Sequence, residues 1–393
     1  MRNVYLIEGA RTPFGAFGGS LKKTEVTDLG AIATKEALRK SGVPVESIEQ
    51  TFFGNVIHTS ANSPYLARHI SLKAGIPETT PALTVNRLCG SGLQAVVNAT
   101  QAILLDEASG AAAGGAENMS MSPHVVRDIR FNNIKLGVPH FEDVLSTTLV
   151  DQYCQLGMGM TAENLAERYQ ITRKEQEEYA LLSQNRVSQA KEKGVFEEEI
   201  VSVLDEKGNM LLKDDEHPKP DITLEKLHTL RPAFKKDGSV TAATSSGIND
   251  GAATVILGDD QLIAKLKTHP LARIVSWGIA GVDPRYMGIG PVPATMQALK
   301  RANLQMKDID LIEINEAFAV QVLAVKKELG INLEKLNVNG GAIALGHPVG
   351  ASGARLLLTL AYELKRTGKR FGLVSLCIGG GQGISVIIEN MNM

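Results

Sequence analysis

The feature that most constrains the fold is a unit that occurs twice: an extended apolar segment, a glycine-rich turn, a helix with almost no polar face, and another apolar strand. In the first half, residues 82–86 read as a buried strand, a turn runs through Gly90 and Gly92, and residues 93–104 form a helix. A strand over 110–113 then enters Gly114 and Gly115. In the second half, residues 336–339 precede a glycine turn through His347, a helix spans 353–361, and a strand over 371–376 leads into Gly379, Gly380 and Gly381. The shared order predicts duplication of a β-turn-α-β unit, with Cys89 and His347 at equivalent helix starts. A helix that is apolar all round is buried on most sides. Two such helices predict a central helical layer sandwiched between two sheets; the alternative is that each packs under its own sheet.

At 393 residues the chain exceeds the usual size of one hydrophobic core, so two or three domains are expected. Residues 118–246 have a different character, with a charged helical stretch at 172–179 and a turn-rich piece at 217–221. Strict strand-helix alternation is lost there, and the region reads as a lid or loop domain inserted into the first half. An apolar strand at 251–257 marks the return. The expected organisation is therefore a first half of residues 1–117 plus 247–269, an insert of 118–246 and a second half of 270–393.

Composition removes several function classes. A net charge of -2 provides no electrostatic footprint for nucleic acid or an anionic membrane. No run of about 18 apolar residues marks a membrane span. Three cysteines, far apart in sequence, cannot form a disulfide framework, so a reducing compartment is expected. Residues 1–7 read as a strand rather than a leader, and the expected location is cytoplasmic. The histidines show no H-E-x-x-H spacing and no C-x-x-C exists, so no metal is expected. Gly90 to Ala95 matches the dinucleotide pattern G-x-G-x-x-A after a strand, but it opens no N-terminal βαβ unit, and Asp106 and Glu107 come early for a ribose contact. Gly157 to Ala162 matches the same pattern without a clear preceding strand.

The reactive groups lie beside the glycine turns. Cys89 stands between a predicted strand and a predicted helix, where the positive end of the helix dipole lowers a thiol's pKa. A nucleophile and a buried inert cysteine are the two readings. His347, between Gly346 and Pro348, is either a base for a thiol or a hydrogen-bonded structural histidine. Cys377 precedes Gly379, Gly380 and Gly381, whose N–H groups can form an oxyanion-binding nest. A second thiol there can serve as acid or base at carbon; a redox pair with Cys89 is the alternative. Asn315 follows an apolar strand and either holds a water, orients His347 or caps a helix. Cys154 lacks glycine-rich surroundings and reads as structural.

These residues also carry a family resemblance. Leu88-Cys89-Gly90-Ser91-Gly92, Asn315-Glu316-Ala317-Phe318, Gly346-His347-Pro348-Val349-Gly350-Ala351-Ser352-Gly353 and Cys377-Ile378-Gly379-Gly380-Gly381 together resemble the thiolases. Arg11-Thr12-Pro13-Phe14-Gly15, residues 246–253 and residues 287–293 fit as well, and the likeness spans essentially the whole chain. Within the family the chain is similar to the acetyl-CoA acetyltransferases, with the 3-ketoacyl-CoA thiolases sharing most of these motifs. The resemblance implies an α/β fold in which two halves form a five-layer αβαβα sandwich, with the insert as a coenzyme A-binding loop domain. It implies a homodimer or homotetramer, with coenzyme A as substrate and product and no separate cofactor. It implies that Cys89 carries the acyl group, that His347 activates Cys89, and that Cys377 moves the α-proton of the second acyl-CoA. Asn315 would hold an oxyanion-hole water, and the N–H groups of Cys89 and Gly379 would form a second oxyanion hole. Met158, Phe234, Ser246, Met287 and Phe318 would line the coenzyme A tunnel. One departure stands out: where the acetyl-specific bacterial pattern has a histidine before the methionine, this chain has Gly157, which leaves more room. Other classes consistent with the scaffold are an acyl-CoA-binding protein with little turnover and, through Gly90 to Ala95, a nicotinamide oxidoreductase.

Overall fold

The computed structural model describes residues 2–127, 129–131 and 139–392. Their main strands follow the spatial order Leu311–Ile314, Phe371–Ile378, Gln382–Asn390, Ala272–Gly281, Val4–Arg11, Asn249–Asp259, Gly110–Asn118, Gln50–Gly54 and Ala82–Val85. The first four belong to the second half of the chain and the last five to the first. The halves join where Tyr5 and Leu6 pair with Arg273 and Ala272. Toward each outer edge the pairing turns parallel, between Leu311–Ile314 and Phe371–Ile378 and between Gln50–Gly54 and its two neighbours.

The predicted central layer is present. The Ser91–Leu104 and Ser352–Thr367 helices pack on one another and on strands of both halves. Leu93, Val96, Leu356 and Leu357 share one buried cluster with Val255 and Leu257 of one sheet and Val374 and Val386 of the other. The helices can meet because glycines stand at the crossing. A Cβ on Gly92 would lie 2.8 Å from the Gly350 carbonyl oxygen, and one on Gly353 would lie 2.4 Å from the Leu93 nitrogen. Those contacts leave no room for a side chain. They also account for the dinucleotide pattern at Gly90 to Ala95 without a pyrophosphate, since Gly92 serves the helix crossing and Gly90 makes room for Ile378 and Ile384. Outside, Val26–Ser41 and Leu66–Lys73 cover the first sheet, while Pro291–Ala302 and Ala319–Leu329 cover the second. The result is five layers, helix–sheet–helix–sheet–helix.

Two expectations are corrected. Residues 336–339 form no strand: Leu311–Ile314 corresponds to Gln50–Gly54 of the first half, and the parallel pairing that Ala82–Val85 makes beside Gln50–Gly54 shrinks here to a single bridge. Asn337 takes a left-handed φ of 47°, and its carboxamide bonds both backbone groups of Ile314, at 2.8 Å and 2.9 Å. That side chain replaces the ladder partner a further strand residue would supply, so only Leu336 bridges to Ile312. Ala82–Val85 is a strand but an edge strand, with Leu83 48% exposed rather than buried.

The insert carries the helices Met158–Tyr169 and Arg173–Glu192, the latter opened by a Thr172–Glu175 capping box. Buried carboxylates fasten it to the body. Glu316 accepts from Tyr179 Oη at 2.9 Å and Ser183 Oγ at 2.7 Å in the insert, and from Asn337 Nδ2 at 3.0 Å and Ile343 N at 3.1 Å in the second half. Arg11 donates to Glu199 at 2.6 Å and to Asp215 at 2.7 Å and 3.0 Å, tying the far part of the insert to the first strand. No helix among the described residues is long and apolar enough to cross a membrane.

Candidate active site

Cys89 precedes its helix by two residues and is set by a tight local network. Leu88 sits at φ 47°, a left-handed conformation that costs an ordinary side chain roughly 1–2 kcal/mol. Three bonds hold it there. Asn86 Oδ1 accepts from Leu88 N at 2.9 Å, while Ser91 Oγ accepts from Arg87 N at 2.8 Å and donates to the Leu88 carbonyl at 2.6 Å. The backbone N–H groups of Gly379 and of Cys89 itself donate to the Cys89 sulfur. Burial nonetheless pushes this thiol up to about 11. The helix-dipole argument anticipated the opposite sign. Desolvation of a lone thiolate outweighs two N–H donors here, so the resting group is a thiol that needs a base.

His347 lies five residues before its helix, so it is not at the position equivalent to Cys89. It is 5% exposed. Its ring is held from both sides, with Nδ1 2.6 Å from Ser352 Oγ and Nε2 3.2 Å from Asn315 Nδ2. The Ser352 hydroxyl donates to the Pro348 carbonyl at 2.9 Å and is left as acceptor toward Nδ1. Nδ1 therefore bears the proton and Nε2 presents a lone pair, an assignment drawn from the hydrogen-bond partners. Burial, and then the charge of Arg355, lower the imidazole to about 3, so the ring is neutral at ordinary pH. Its backbone N–H donates to Asn249 Oδ1 at 3.0 Å.

Asn315 is no helix cap, because the following helix starts at Ala319 with Phe318 at the cap position. Its backbone is pinned by a 2.9 Å bond to the Ser375 carbonyl. Its Oδ1 is buried with no hydrogen-bond partner among the described residues. Cys377 ends the Phe371–Ile378 strand, 1% exposed. Burial, and then the neighbouring Cys89 thiol, push it well above the ordinary thiol range. Gly380 and Gly381 follow at φ 78° and 75°, turning the chain back so that the Gly379 N–H faces Cys89.

Above His347 opens a mainly apolar cleft of about 710 Å³. Met158, Phe234, Ser246 and Phe318 line it, as does Gly157. Phe234 and Phe318 meet edge-on, with ring centroids 5.9 Å apart. Met287 is absent from that lining. It is 3% exposed and lies in the apolar cluster that holds Phe318 and Cys377, so it supports the wall from behind. A Cβ on Gly157 would meet nothing closer than 3.8 Å. Cys154 is a half-buried thiol in the turn between Val150–Asp151 and Leu156–Gly157, apart from this group.

Three supporting residues were not singled out from the sequence. Asn249 bridges the His347 backbone and the Gly15 carbonyl, at 3.0 Å and 2.9 Å. Glu117 accepts from Asn55 Nδ2, Val56 N, Ile57 N and Gly350 N at 2.9–3.0 Å, which ties the His347 turn to the first half. Burial pushes its carboxyl up to about 8. A lone carboxylate in the run of small residues 110–118 was the available signal. Ser352 was in the quoted motif, but its bond to His347 needs the folded turn.

Known proteins resemble this chain over nearly its whole length. The model of the thiolase N-terminal domain matches residues 4–261, and that of the thiolase C-terminal domain matches residues 268–390. The chain is 50% identical over 393 residues to human mitochondrial 3-ketoacyl-CoA thiolase, covering 99% of each chain. It is 47% identical over 393 residues to the acetyl-CoA acetyltransferase of Cupriavidus necator, covering 99% of this chain and 100% of that one. The crystal structure of human mitochondrial 3-ketoacyl-CoA thiolase in complex with CoA superposes at a TM-score of 0.96 with 49% identity, covering 99% of this chain and 98% of the other. With both halves matched, the five-layer fold in place and the Cys89, Asn315, His347 and Cys377 turns gathered as the motifs require, this chain belongs to the thiolase family.

Proposed function

We propose that this thiolase transfers acyl groups between coenzyme A thioesters by a ping-pong route through an acyl-Cys89 intermediate. The observations that carry this reading are a half-buried thiol facing two backbone N–H donors and, among the gathered turns, a neutral imidazole of fixed tautomer. His347 Nε2 takes the Cys89 proton as sulfur attacks the thioester carbonyl. The Gly379 and Cys89 N–H groups stabilise the oxyanion, coenzyme A leaves as its thiol, and the acyl group stays on sulfur. Burial penalises a lone thiolate and a lone imidazolium alike, and forming the two together in one cleft offsets that cost through their attraction. In condensation, Cys377 passes its own proton to the neutral imidazole of His347 and, as thiolate, accepts the α-proton of a second acyl-CoA; the resulting carbon attacks the acyl-enzyme, and the Cys89 sulfur leaves and takes the proton from His347. Thiolysis runs the same steps backwards. Asn315 and a water it holds face the enolate oxygen. The cleft lined by Met158, Phe234, Ser246 and Phe318 accommodates the pantetheine arm.

For the acyl group the reading is acetyl transfer, giving acetoacetyl-CoA from two acetyl-CoA or the reverse, with tolerance of longer 3-ketoacyl chains. Open space at Gly157 and a further cavity of about 360 Å³ beside Leu88, Met158 and Gly379 support that tolerance. A homodimer or homotetramer belongs to the same proposal. The Ala82–Val85 edge strand, with Leu83 outward, offers a ladder for a second copy. A cytoplasmic location is proposed on the unpaired cysteines alone.

The test is acid-quenched peptide mass spectrometry after mixing with acetoacetyl-CoA and coenzyme A. An acetyl adduct on Cys89 is expected, and an unmodified Cys89 with intact substrate would overturn the acetyl reading. A 3-ketoacyl-CoA series of increasing length then sets the range. Gly157→His is expected to cut kcat/KM for the longer members by about tenfold or more, with little change for the shortest.

A further inference from the structure

Arg355 is wholly buried in the central helical layer, three residues after Ser352. None of its guanidinium nitrogens has a hydrogen-bond partner among the described residues. Its one ion pair is a long contact, Nη1 to Glu313 Oε2 at 3.8 Å, and Glu313 is likewise buried. A buried cation so weakly satisfied costs stability, and replacing such a pair by apolar groups is often neutral or favourable. Stability is therefore a poor account of why it is there.

Its position supplies a better one. Arg355 shares the first turns of its helix with Ser352, the Nδ1 partner of His347. Glu313 lies on Leu311–Ile314, the strand that leads directly to Asn315, the Nε2 partner. The Arg355–Glu313 contact thus links the two elements that grip the imidazole. From this geometry we infer that Arg355 is a positioning residue for His347: it braces the Ser352 side of the ring against the Asn315 side. The direction of the His347 shift agrees, since after burial the charge of Arg355 is what lowers it. The other charges facing Arg355 are Glu199, Glu316 and Arg11, and those facing Glu313 include Glu363 as well. Burial raises the Glu313 carboxyl, against the pull of Arg355.

This inference rests on the thiolase reading for its kinetic arm only. The decisive readout is the ¹⁵N spectrum of the His347 ring in the full-length enzyme with ¹⁵N-labelled histidine, assigned with His347→Gln. The parent is expected to show one neutral tautomer protonated at Nδ1. In Arg355→Met the expected result is loss of that single tautomer, an upward shift of the ring's titration, and a fall in kcat of about tenfold to a hundredfold at nearly unchanged KM. Arg355→Lys keeps the charge without the fork, and partial recovery of both readouts is expected. Glu313→Gln keeps the cation, so the ring titration is expected not to move upward. An Arg355→Met enzyme that melts earlier yet keeps the parent's ring spectrum and kcat would overturn the proposal. Should Arg355→Met fail to fold, Arg355→Met/Glu313→Gln removes both charges and the same spectrum decides. A parent without thiolase activity but with the expected spectra would sink the functional reading and leave the brace standing.

Discussion

The Cys89 turn enters its helix within two residues, whereas the His347 turn takes five. Both are glycine-rich, both lead into helices of the central layer, and they derive from matching positions in the two halves. Their strain is placed differently. The first turn forces Leu88 into a left-handed conformation and holds it with Asn86 and Ser91. The second puts the left-handed residue on Gly346, at φ 101°, directly beside the imidazole. The first is shaped by local bonds, and the second half bonds to it through the Gly379 N–H at the sulfur and through Gln382, which accepts from Arg87 at 2.9 Å. The second has a local bond, from Ser352, and is otherwise held from a distance, by Asn249, Glu117 and Asn315. A duplicated scaffold thus carries two unlike functional groups because a shift of a few residues along the turn changes which neighbours each side chain meets.

The largest effect is expected at the Cys89 turn. Cys89→Ala should leave no acyl-enzyme and no turnover, since no other thiol faces those two N–H donors; residual acylation of the variant protein, read by mass spectrometry, would break the assignment. Cys377→Ala comes next. Acylation of Cys89 should persist, while condensation and thiolysis fall by about 10²–10⁴-fold, the usual worth of a positioned acid or base. Parent-like condensation by that variant, followed by product formation, would remove Cys377 from the mechanism.

Gly346→Ala sharpens the contrast between the turns. A Cβ there would sit 2.4 Å from the Asn249 carboxamide on a backbone that already demands positive φ. A loss of about 1–3 kcal/mol in denaturant unfolding is expected, together with reduced kcat, because Asn249 also holds the His347 backbone. An unchanged midpoint would show that the second turn is looser than its geometry indicates.

The smallest effect is a pH dependence. The folded His347 is depressed to about 3 from an ordinary 6.5. Between those values the unfolded chain binds a proton that the folded chain refuses, so this group's stability is full above 6.5 and declines as pH falls toward 3. His347→Gln should therefore lose less stability than the parent between pH 6.5 and 4.5, by up to ~1.4 kcal/mol for each pH unit in that window. Parallel stability curves would mean that the buried ring is not the acid-sensitive group.

Local chemistry was legible from residues alone: the reactive side chains, the glycine turns, the two all-apolar helices and the change of character over residues 118–246. Each is a property of neighbours along the chain, where hydrophobic period and turn chemistry act directly. Only the folded molecule decided the rest. The strand assigned to residues 336–339 shrank to a single bridge because the Asn337 side chain satisfies the backbone of the neighbouring strand Leu311–Ile314. The Cys89 thiol rose rather than fell because desolvation by the residues packed around it outweighs a helix end. The bonds of Glu117, Asn249 and Arg355 each join residues distant in sequence. Desolvation and long-range hydrogen bonding depend on what packs against a group, and no local window of sequence contains that information.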